Sequence, residues 1–467
     1  MAFFSLDDTI AAVSTPLGEG GIGIVKISGP QAVPILRQLF VRPGEPAGTH
    51  GDLPPRSLIW GHITDPQTRQ AVDEALVVVM PAPHSYTCQN VVEIQSHGGI
   101  ISVQKILQLT LSLGARLAEP GEMTLRAFIN GRLDLAQAEA VLDIVQARTD
   151  AALRVAVDQL GGHLSAQIRH ARSQLVEVLA YLEASIDFVE DEIPQQDILG
   201  PLSEARGAMT ELLATADRGK IYRHGIHAAI VGRPNVGKSS LLNTLLRGDR
   251  AIVTPVPGTT RDTLEESINI QGIPVVLVDT AGIRSAAEGE VERLGVDRSR
   301  QALQRADLVL LVTDGSQPLT EEDWDIAASI GNKTVLVVIN KCDLPTHQPP
   351  PGTLDQPTPL SDAPQIHISA LTGQGIDQLE QLIADTVLGG QVFASDAPLV
   401  TSSRHQALLS AAVTQVTAAI EGHHLSRDAD LIAIDLRDAV DSLGEITGET
   451  AGEDLLEVIF SRFCIGK

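Results

Sequence analysis

The sequence predicts a protein of the α/β plus all-α class, in which α/β and helical regions alternate along the chain. In residues 1 to about 120, short apolar runs are separated by turns rich in Gly and Pro, which is typical of mixed α/β structure. Two later regions contain little Gly or Pro and repeat apolar residues at helical spacing. Between these two regions strands alternate with helices, which indicates a parallel sheet.

The elements follow in order along the chain. Strands are expected at Ile22–Ile27, Ala75–Met80 and Val91–Ile94, and a helical region from Glu122 to Arg218. An acidic loop at residues 187–197 interrupts that helical region. One predicted apolar helix face consists of Leu135, Ala138, Val141, Leu142 and Val145.

The central α/β region runs from Ile226 to about Ile383, and a Pro-rich surface loop is expected within it at residues 345–364. A second helical region follows Ser395. The two helical regions flank the central one, which is compatible with its insertion into a single helical domain. Composition alone does not prove that insertion.

Length and composition limit the possible classes. The chain has 467 residues, too many for one hydrophobic core, and roughly two to four domains are expected. No apolar run approaches the roughly 20 residues that cross a bilayer, and the N-terminus lacks a signal-peptide pattern. We therefore expect a cytoplasmic protein without membrane contact.

Charge and cysteine content exclude further classes. The three cysteines are far apart and lack metal-ligand spacing, so neither a disulfide framework nor a zinc site is expected. The 59 acidic and 34 basic residues give a formal net charge of −25, which disfavours non-specific binding of nucleic acid. An RNA partner would need a local patch or presentation by another protein.

The central signal is the run from Gly232 to Ser239, which reads GRPNVGKS and completes the G-x-x-x-x-G-K-[ST] pattern. It follows the apolar strand Ile226–Val231 and opens a helix expected to end at Leu246, which is the context the pattern requires. Backbone N–H groups of such a loop surround phosphates. Lys238 can bridge the β- and γ-phosphates, and Ser239 can bind Mg²⁺.

Two further segments complete a phosphate and magnesium site. The strand Val275–Val278 leads into Asp279-Thr280-Ala281-Gly282, where Asp279 can hold Mg²⁺ through water and the Gly282 N–H can sense the γ-phosphate. Between this segment and the phosphate loop, Thr260 is the natural second hydroxyl ligand for Mg²⁺. The order of these segments along the chain is the order that a P-loop GTPase requires.

The base is read by two later segments. The strand Val335–Ile339 ends in Asn340-Lys341-Cys342-Asp343, and a carboxylate there can accept both the N1–H and the 2-amino protons of guanine. Adenine lacks this donor pair, so Asp343 selects GTP over ATP. The strand Ile366–Ile368 leads into Ser369-Ala370-Leu371, whose backbone can contact the base carbonyl.

The sequence leaves open which group assists hydrolysis. In Ras-like proteins a glutamine after Asp-Thr-Ala-Gly positions the attacking water, but here that residue is Ile283. Asn235 could contribute an oxygen to a monovalent cation beside the phosphates, or simply stabilise the loop. Glu292 could orient the nucleophile through a bridging water, or lie on a solvated helix face.

Over its whole length the chain resembles the MnmE (TrmE) family of tRNA uridine-modification GTPases. The motifs that carry the resemblance are Gly20 to Gly29, Glu93 to Gly99, Pro120-Gly121-Glu122, Leu133 to Ala140, Glu445 to Glu449 and the terminal Phe463-Cys464-Ile465-Gly466-Lys467. The resemblance implies an N-terminal folate-binding-like and dimerisation domain at 1–120 and a helical domain at 121–220 and 387–467. It also implies an inserted Ras-like P-loop G domain at 221–386.

The resemblance further implies a homodimer that binds GTP, Mg²⁺, K⁺ and a 5-formyl or methylene tetrahydrofolate derivative. With an FAD-bearing partner, MnmG (GidA), in a heterotetramer, it would modify C5 of the wobble uridine of certain tRNAs. The potassium ligands fall on Asn235, Thr254, Val256 and Thr259, and the folate contacts on Lys26, Glu93, Arg132 and Lys467. The water-orienting glutamate falls on Glu292, with Glu290 close by.

The expected catalytic residues are Glu292, Lys238 and Thr260, and Cys464 is a further candidate that is more commonly a buried small residue. The alternative function is a regulatory GTPase switch in the assembly of a ribosome or RNA particle without cofactor chemistry. The full predicted nucleotide site comprises Gly232, Asn235, Val236, Gly237, Lys238, Ser239, Ser240, Thr254, Thr259, Thr260, Asp279, Thr280, Ala281, Gly282, Asn340, Lys341, Asp343, Ser369, Ala370 and Leu371.

Overall fold

The computed structural model describes residues 7–44, 53–187, 194, 196–246, 265–279, 303–345, 363–390 and 398–466. The chain forms two compact units. The first comprises Met1–Leu142, Leu160–Ala205 and Thr414–Lys467, and the second comprises Asp143–Gln159 and Arg206–Val413. Within the described ranges, no helix is both long enough and apolar enough to cross a membrane.

A seven-stranded sheet begins the first unit, with two helices that supply apolar residues to its core. Its order is β3-β4-β5-β6-β2-β1-β7, antiparallel except for the β1–β7 pair. The helix α2 buries Val103, Ile106 and Leu109 at helical spacing. The elements are β1 (Ile10–Val13), β2 (Gly20–Ser28), α1 (Ala32–Leu39), β3 (Phe40–Val41), β4 (Ile59–Thr64), β5 (Ala71–Met80), β6 (Val91–Gly98), α2 (Ile100–Ser112) and β7 (Arg116–Leu117).

Helices follow this sheet, and their apolar spacing largely matches the prediction. They are α3 (Glu122–Ile129), α4 (Leu135–Gln146), α5 (Asp150–Leu160), α6 (His163–Asp187), α7 (Leu199–Ala214) and α8 (Ala216–His224). On the predicted face of α4, Leu135, Ala138 and Leu142 are buried, but the inclusion of Val145 was wrong because that side chain is 44% exposed. Most of the predicted acidic loop lies outside the described residues.

The second sheet has six strands in the order β13-β12-β11-β8-β10-β9, parallel except for the β9–β10 hairpin. All seven residues of β11 are buried, as expected for a central parallel strand. The elements are β8 (Ile226–Val231), α9 (Lys238–Leu246), β9 (Glu265–Ile270), β10 (Ile273–Asp279), β11 (Leu308–Asp314), α10 (Glu321–Ile330), β12 (Thr334–Asn340), β13 (Gln365–His367) and α11 (Ile376–Leu388). Nearly all of the predicted Pro-rich loop lies outside the described residues.

The helix α5 contributes to the core beneath this second sheet. Its residues Ala151 and Val155 belong to the same buried cluster as strand residues such as Val275. At the start of α5, Thr149 Oγ1 donates a hydrogen bond to the carbonyl of Gly272 in the β9–β10 turn, at 2.7 Å. The segment 143–159 therefore packs with the parallel sheet although it precedes that sheet by about 70 residues.

The last helices are α12 (Ser403–His424), α13 (Ala429–Thr447) and α14 (Glu453–Phe460). Within the first unit, α13 packs against α6. An ion pair joins Arg437 Nη2 to Glu183 Oε1 at 2.7 Å, and Arg172 Nε donates to the carbonyl of Val440 at 3.2 Å. Helices that precede the parallel sheet in the sequence thus pack with helices that follow it, as the predicted insertion requires.

Candidate nucleotide site and N-terminal pocket

The predicted phosphate loop lies at the carboxyl edge of the parallel sheet. β8 ends at Val231 and α9 begins at Lys238, so residues 232–237 connect a central strand to a helix N-terminus. Gly237 has φ 104°, and a Cβ there would lie 2.1 Å from Asn340 Nδ2. A Cβ on Gly232 would lie 2.3 Å from the carbonyl of Val312. Both positions therefore require glycine.

The lysine of the loop is held inside it. Lys238 Nζ donates hydrogen bonds to the carbonyl of Gly232 at 2.6 Å and to the carbonyl of Arg233 at 2.8 Å. Ser239 and Ser240 are exposed in the first turn of α9, and Asn235 is exposed in the loop with φ 64°. A cation beside a helix N-terminus favours a bound anion. The exposed Ser239 hydroxyl suits a hard cation such as Mg²⁺.

Asn340 connects three of the predicted segments. This side chain is 2% exposed, and its Nδ2 donates to the carbonyl of Val236 in the phosphate loop at 2.8 Å. Its Oδ1 accepts a hydrogen bond from the backbone N–H of Ala370 at 2.9 Å. Thr244 Oγ1 in α9 donates to the Ala370 carbonyl at 2.8 Å. The structure thus brings the phosphate loop and both base-contacting segments together.

The remaining base-site residues lie on the same edge. Asp343 is exposed, Leu371 is 85% exposed and Ser369 is fully buried. The carbonyl of Ser369 accepts a hydrogen bond from the Gly373 N–H at 2.9 Å. The Cys342 N–H donates to the carbonyl of Ile368 at 3.0 Å, which ties the two base segments to each other. An exposed carboxylate at Asp343 is available to paired N–H donors of a base.

The sequence interpretation did not include Asp314, the last residue of β11, as a site residue. Lys341 Nζ lies 2.6 Å from Asp314 Oδ2, and the Asp314 side chain is only 3% exposed. Burial acts to raise the pKa of Asp314, but hydrogen bonds from Lys341 and Ser316 outweigh it and lower that pKa below its ordinary value. The available signal for Asp314 was its place two residues after the apolar run Leu308–Val312.

Arg233 in the phosphate loop also has partners that sequence reasoning missed. Its Nη2 donates to Gln317 Oε1 at 3.2 Å, and its Nε lies 3.4 Å from Asp323 Oδ2. The same Asp323 oxygen accepts the backbone N–H of Thr320 at 2.9 Å, at the beginning of α10. The phosphate loop is therefore joined to the N-terminus of α10 as well as to β12.

Several predicted residues lie outside the described residues. Of the Asp-Thr-Ala-Gly segment, the structure describes the backbone of Asp279, which pairs with Ile230 of β8 beside the phosphate loop. The outside positions are Thr254, Val256, Thr259, Thr260, Thr280, Ala281, Gly282, Glu290, Glu292 and Lys467. Within the described ranges, no group of three or more His, Cys, Asp or Glu side chains could hold a metal ion.

Two of the four predicted folate residues, Lys26 and Arg132, lie beside the ring of Tyr86 in the first unit, and a third, Glu93, is paired with Lys26. Lys26 and Glu93 are register partners on β2 and β6, and Lys26 Nζ lies 3.4 Å from Glu93 Oε1. Lys26 Nζ also lies 5.8 Å from the centroid of the Tyr86 ring. Arg132 Cζ lies 4.7 Å from the same centroid, and Arg132 Nη1 donates to the Tyr86 carbonyl at 3.2 Å. Tyr86 was not predicted.

An open pocket of about 520 Å³ lies beside Tyr86 and Arg132. Its size is within the usual range for small-molecule sites. Tyr86 Oη and Thr124 Oγ1 are 2.9 Å apart, and burial raises the pKa of Tyr86, so the phenol is neutral at pH 7. The pocket is lined by Met80, Pro83, His84, Ser85, Tyr86, Cys88, Asn130, Gly131 and Arg132.

The C-terminal segment lies against the N-terminal sheet. Ser14 Oγ donates to the carbonyl of Gly466 at 3.2 Å, and Ile465 forms a β-bridge with Pro120. Gly466 has φ 94°, and a Cβ there would lie 2.4 Å from the carbonyl of Val13. Cys464 is a free, exposed cysteine, so the expectation of a buried small residue is wrong at this position.

The chain matches two protein families. The family described as GTP-binding protein TrmE N-terminus matches residues 9–132, and the family described as MnmE helical domain matches residues 135–464. The second match begins before the parallel sheet and ends after it. The predicted fold class, with an N-terminal α/β domain, a helical domain and a P-loop G domain, is confirmed.

Similar proteins extend over the whole chain. The tRNA modification GTPase MnmE of Chloroflexus aurantiacus is 51% identical over 463 residues, covering 99% of this chain and 100% of that protein. The protein of the same name from Geobacillus kaustophilus is 48% identical over 466 residues, covering 98% and 99%. The crystal structure of an Aquifex aeolicus Era variant bound to GDP.AlF4- is 29% identical over 41% of this chain and 66% of that one, with a TM-score of 0.26, too low to support an argument.

Proposed function

The chain belongs to the MnmE family of tRNA modification GTPases, and we propose that it modifies C5 of the wobble uridine of certain tRNAs by potassium-stimulated GTP hydrolysis and folate chemistry. It is a GTP-hydrolysing enzyme. The observation that carries the proposal is 51% identity over 99% of the chain, combined with the enclosed lysine of the phosphate loop.

In the proposed nucleotide site each residue has a defined task. Lys238 and the N–H groups at the start of α9 neutralise the phosphates, while Ser239 and Thr260 hold Mg²⁺. Asn235, Thr254, Val256 and Thr259 hold K⁺, which supplies positive charge beside the phosphates. Glu292 orients the attacking water through a second water. This division of work compensates for Ile283, which cannot orient water.

A tetrahydrofolate derivative, in the 5-formyl or methylene form, is the proposed ligand of the pocket beside Tyr86. A pterin presents an N–H next to an amino group, and the carboxylate of Glu93 can accept both. Lys26, Arg132 and Lys467 suit the carboxylates and carbonyls of folate. The position of Lys26 and Arg132 beside one aromatic ring, with Glu93 paired to Lys26, supports this proposal. When bound, the folate supplies a one-carbon unit.

The proposed assembly is a homodimer that forms a heterotetramer with an FAD-bearing partner of the MnmG (GidA) type. The formal net charge of −25 supports a role for that partner in holding tRNA, because an acidic chain attracts phosphates poorly. A cytosolic location, where tRNA is modified, belongs to the same proposal.

The decisive experiment is mass analysis of wobble nucleosides from cells that lack this protein. We expect the C5-modified uridines to disappear and to return with the wild-type gene, but not with Lys238→Ala or Arg132→Met. Normal uridines combined with a defect in ribosomal particles would favour the alternative, a regulatory switch in particle assembly.

Two assays of purified protein test the parts of the proposal separately. GTP turnover should be faster in potassium chloride than in sodium chloride, and Asn235→Ala should abolish the difference. Equal turnover in both salts would remove the cation proposal. Fluorescence titration with 5-formyl-tetrahydrofolate should show binding that Arg132→Met weakens. The control Arg437→Met, at an arginine of α13 that pairs with Glu183 and does not line the pocket, should leave binding unchanged.

A further inference from the structure

Asp314 is built into the carboxyl edge of the parallel sheet, between the phosphate-loop strand and the base-site strand. β11, which ends at Asp314, lies between β8 and β12, and Asp314 is the register partner of Asn340. The next residue, Gly315, donates its N–H to the Asn340 carbonyl at 2.8 Å. This strand end is therefore fixed against the base-site segment.

Both carboxylate oxygens of Asp314 have partners. Oδ1 accepts the N–H of Ser316 at 3.0 Å and the Ser316 hydroxyl at 2.6 Å. Oδ2 accepts Lys341 Nζ at 2.6 Å. Because the side chain is 3% exposed, these contacts hold the carboxylate in one orientation.

Lys341 occupies an unusual backbone conformation. Its φ is 68°, in the left-handed region that a lysine seldom adopts. Its four-carbon side chain, tethered at the ammonium end by Asp314, then spans the strand ends from β12 to β11. An untethered lysine side chain would lose rotamer freedom when a ligand packs against it, which would weaken the binding of that ligand.

We propose that Asp314 is a positioning residue of the GTPase, which fixes the Lys341 side chain as a preformed wall of the guanosine site. The inference rests on the proposed nucleotide site. A preformed wall favours GTP, GDP and the transition state equally, because Lys341 belongs to the predicted base-contacting segment and not to the phosphate loop. The contribution of Asp314 is therefore uniform binding, which lowers KM and leaves kcat unchanged.

The test uses Asp314→Asn in the full-length chain. Asparagine keeps an oxygen for Ser316 but loses the charge that holds Lys341. We expect the Kd for GTP and for GDP, and the KM for GTP, to rise about tenfold with kcat unchanged. The matched control is Asp307→Asn. Asp307 directly precedes the first residue of β11, and its carboxylate accepts a hydrogen bond from the His227 N–H at 2.9 Å. This control should bind GTP as the wild type does.

A double-mutant cycle separates positioning from general stability. Lys341→Met keeps a long apolar side chain, and in that background Asp314→Asn should leave the Kd unchanged and should stabilise the protein by removing an unpaired buried charge. An equal rise of Kd in both backgrounds, or an unchanged Kd for Asp314→Asn alone, overturns the proposal. If Asp314→Asn alone does not fold, the test compares the Kd of the double variant with that of Lys341→Met. Equal values support the proposal, and unequal values overturn it. Absence of GTP binding by the wild type would instead refute the nucleotide site itself.

Discussion

The side-chain amide of Asn340 donates a hydrogen bond to the carbonyl of Val236 at 2.8 Å, so the base-site strand holds the phosphate loop directly. The oxygen of the same side-chain amide accepts a hydrogen bond from the Ala370 N–H. A change at Asn340 therefore affects the position of the phosphates as well as that of the base.

We expect Asn340→Ala to lower the free energy of unfolding by about 1–3 kcal/mol, because two buried backbone groups lose their partner. GTP affinity should fall with it. Urea denaturation and nucleotide titration measure the two effects. The control Asn269→Ala removes a bond to the Gly272 N–H in the distant β9–β10 turn and should leave GTP affinity unchanged. A loss of stability without any loss of affinity would contradict the linkage.

Gly237→Ala should reduce GTP affinity by more than about tenfold, since left-handed backbone conformation costs a non-glycine residue about 1–2 kcal/mol and the added Cβ would collide with Asn340. Gly331→Ala is the control, because Gly331 has φ 68° but no atom within 4 Å of an added Cβ. That control should lose only about 1–2 kcal/mol of stability. Similar GTP affinities for the two variants would show that crowding at Gly237 is unimportant.

A buried ionic network in the first unit should make stability depend on pH. Glu122 Oε1 accepts Arg116 Nη2 at 2.7 Å and Arg126 Nη2 at 2.9 Å, and Arg126 is 1% exposed. Burial acts to raise the pKa of Glu122, but the bonds from Arg116, the Glu119 N–H and Arg126 outweigh it and lower the pKa below its ordinary value of 4.5. The stabilisation is therefore complete above pH 4.5 and decreases as the pH falls toward the lowered pKa.

Glu122→Gln should cost about 3 kcal/mol at pH 7, because it removes one of the two carboxylates, Glu122 and Asp8, that pair with the buried Arg126. It should also make the loss of stability below pH 4.5 less steep than in the wild type. Denaturation curves at pH 7 and pH 4 measure both effects, with the exposed Glu453→Gln as the control. An unchanged pH slope would mean that Glu122 titrates normally in the folded protein.

Asp343→Asn should weaken discrimination of GTP from ATP by at least about tenfold, because an asparagine presents a donor to one of the two guanine protons. Competition binding with the two nucleotides measures the ratio. Selectivity that survives the change would assign guanine recognition to the backbone of residues 369–371 instead.

Local sequence patterns predicted the strand, loop and helix around residues 232–237, because the glycines, the lysine and the flanking apolar strand lie next to one another in the sequence. They could not identify Asp314, whose partner Lys341 is 27 positions away and meets it only through parallel strand order. The sequence also gave no signal for Tyr86, because a single aromatic residue in a Pro-rich turn forms no periodic pattern. Helical spacing predicted a helical region that includes α5 but could not reveal that Ala151 packs with the strands.

The packing of α6 against α13 has a consequence for the covalent continuity of the molecule. In the sequence, α6 precedes the strands of the parallel sheet and α13 follows them. The Ile465–Pro120 bridge likewise joins a residue after these strands to one before them. A protein whose backbone is cut once by an engineered protease site in the second unit should therefore elute intact from a gel-filtration column. Its two fragments should separate only in denaturant.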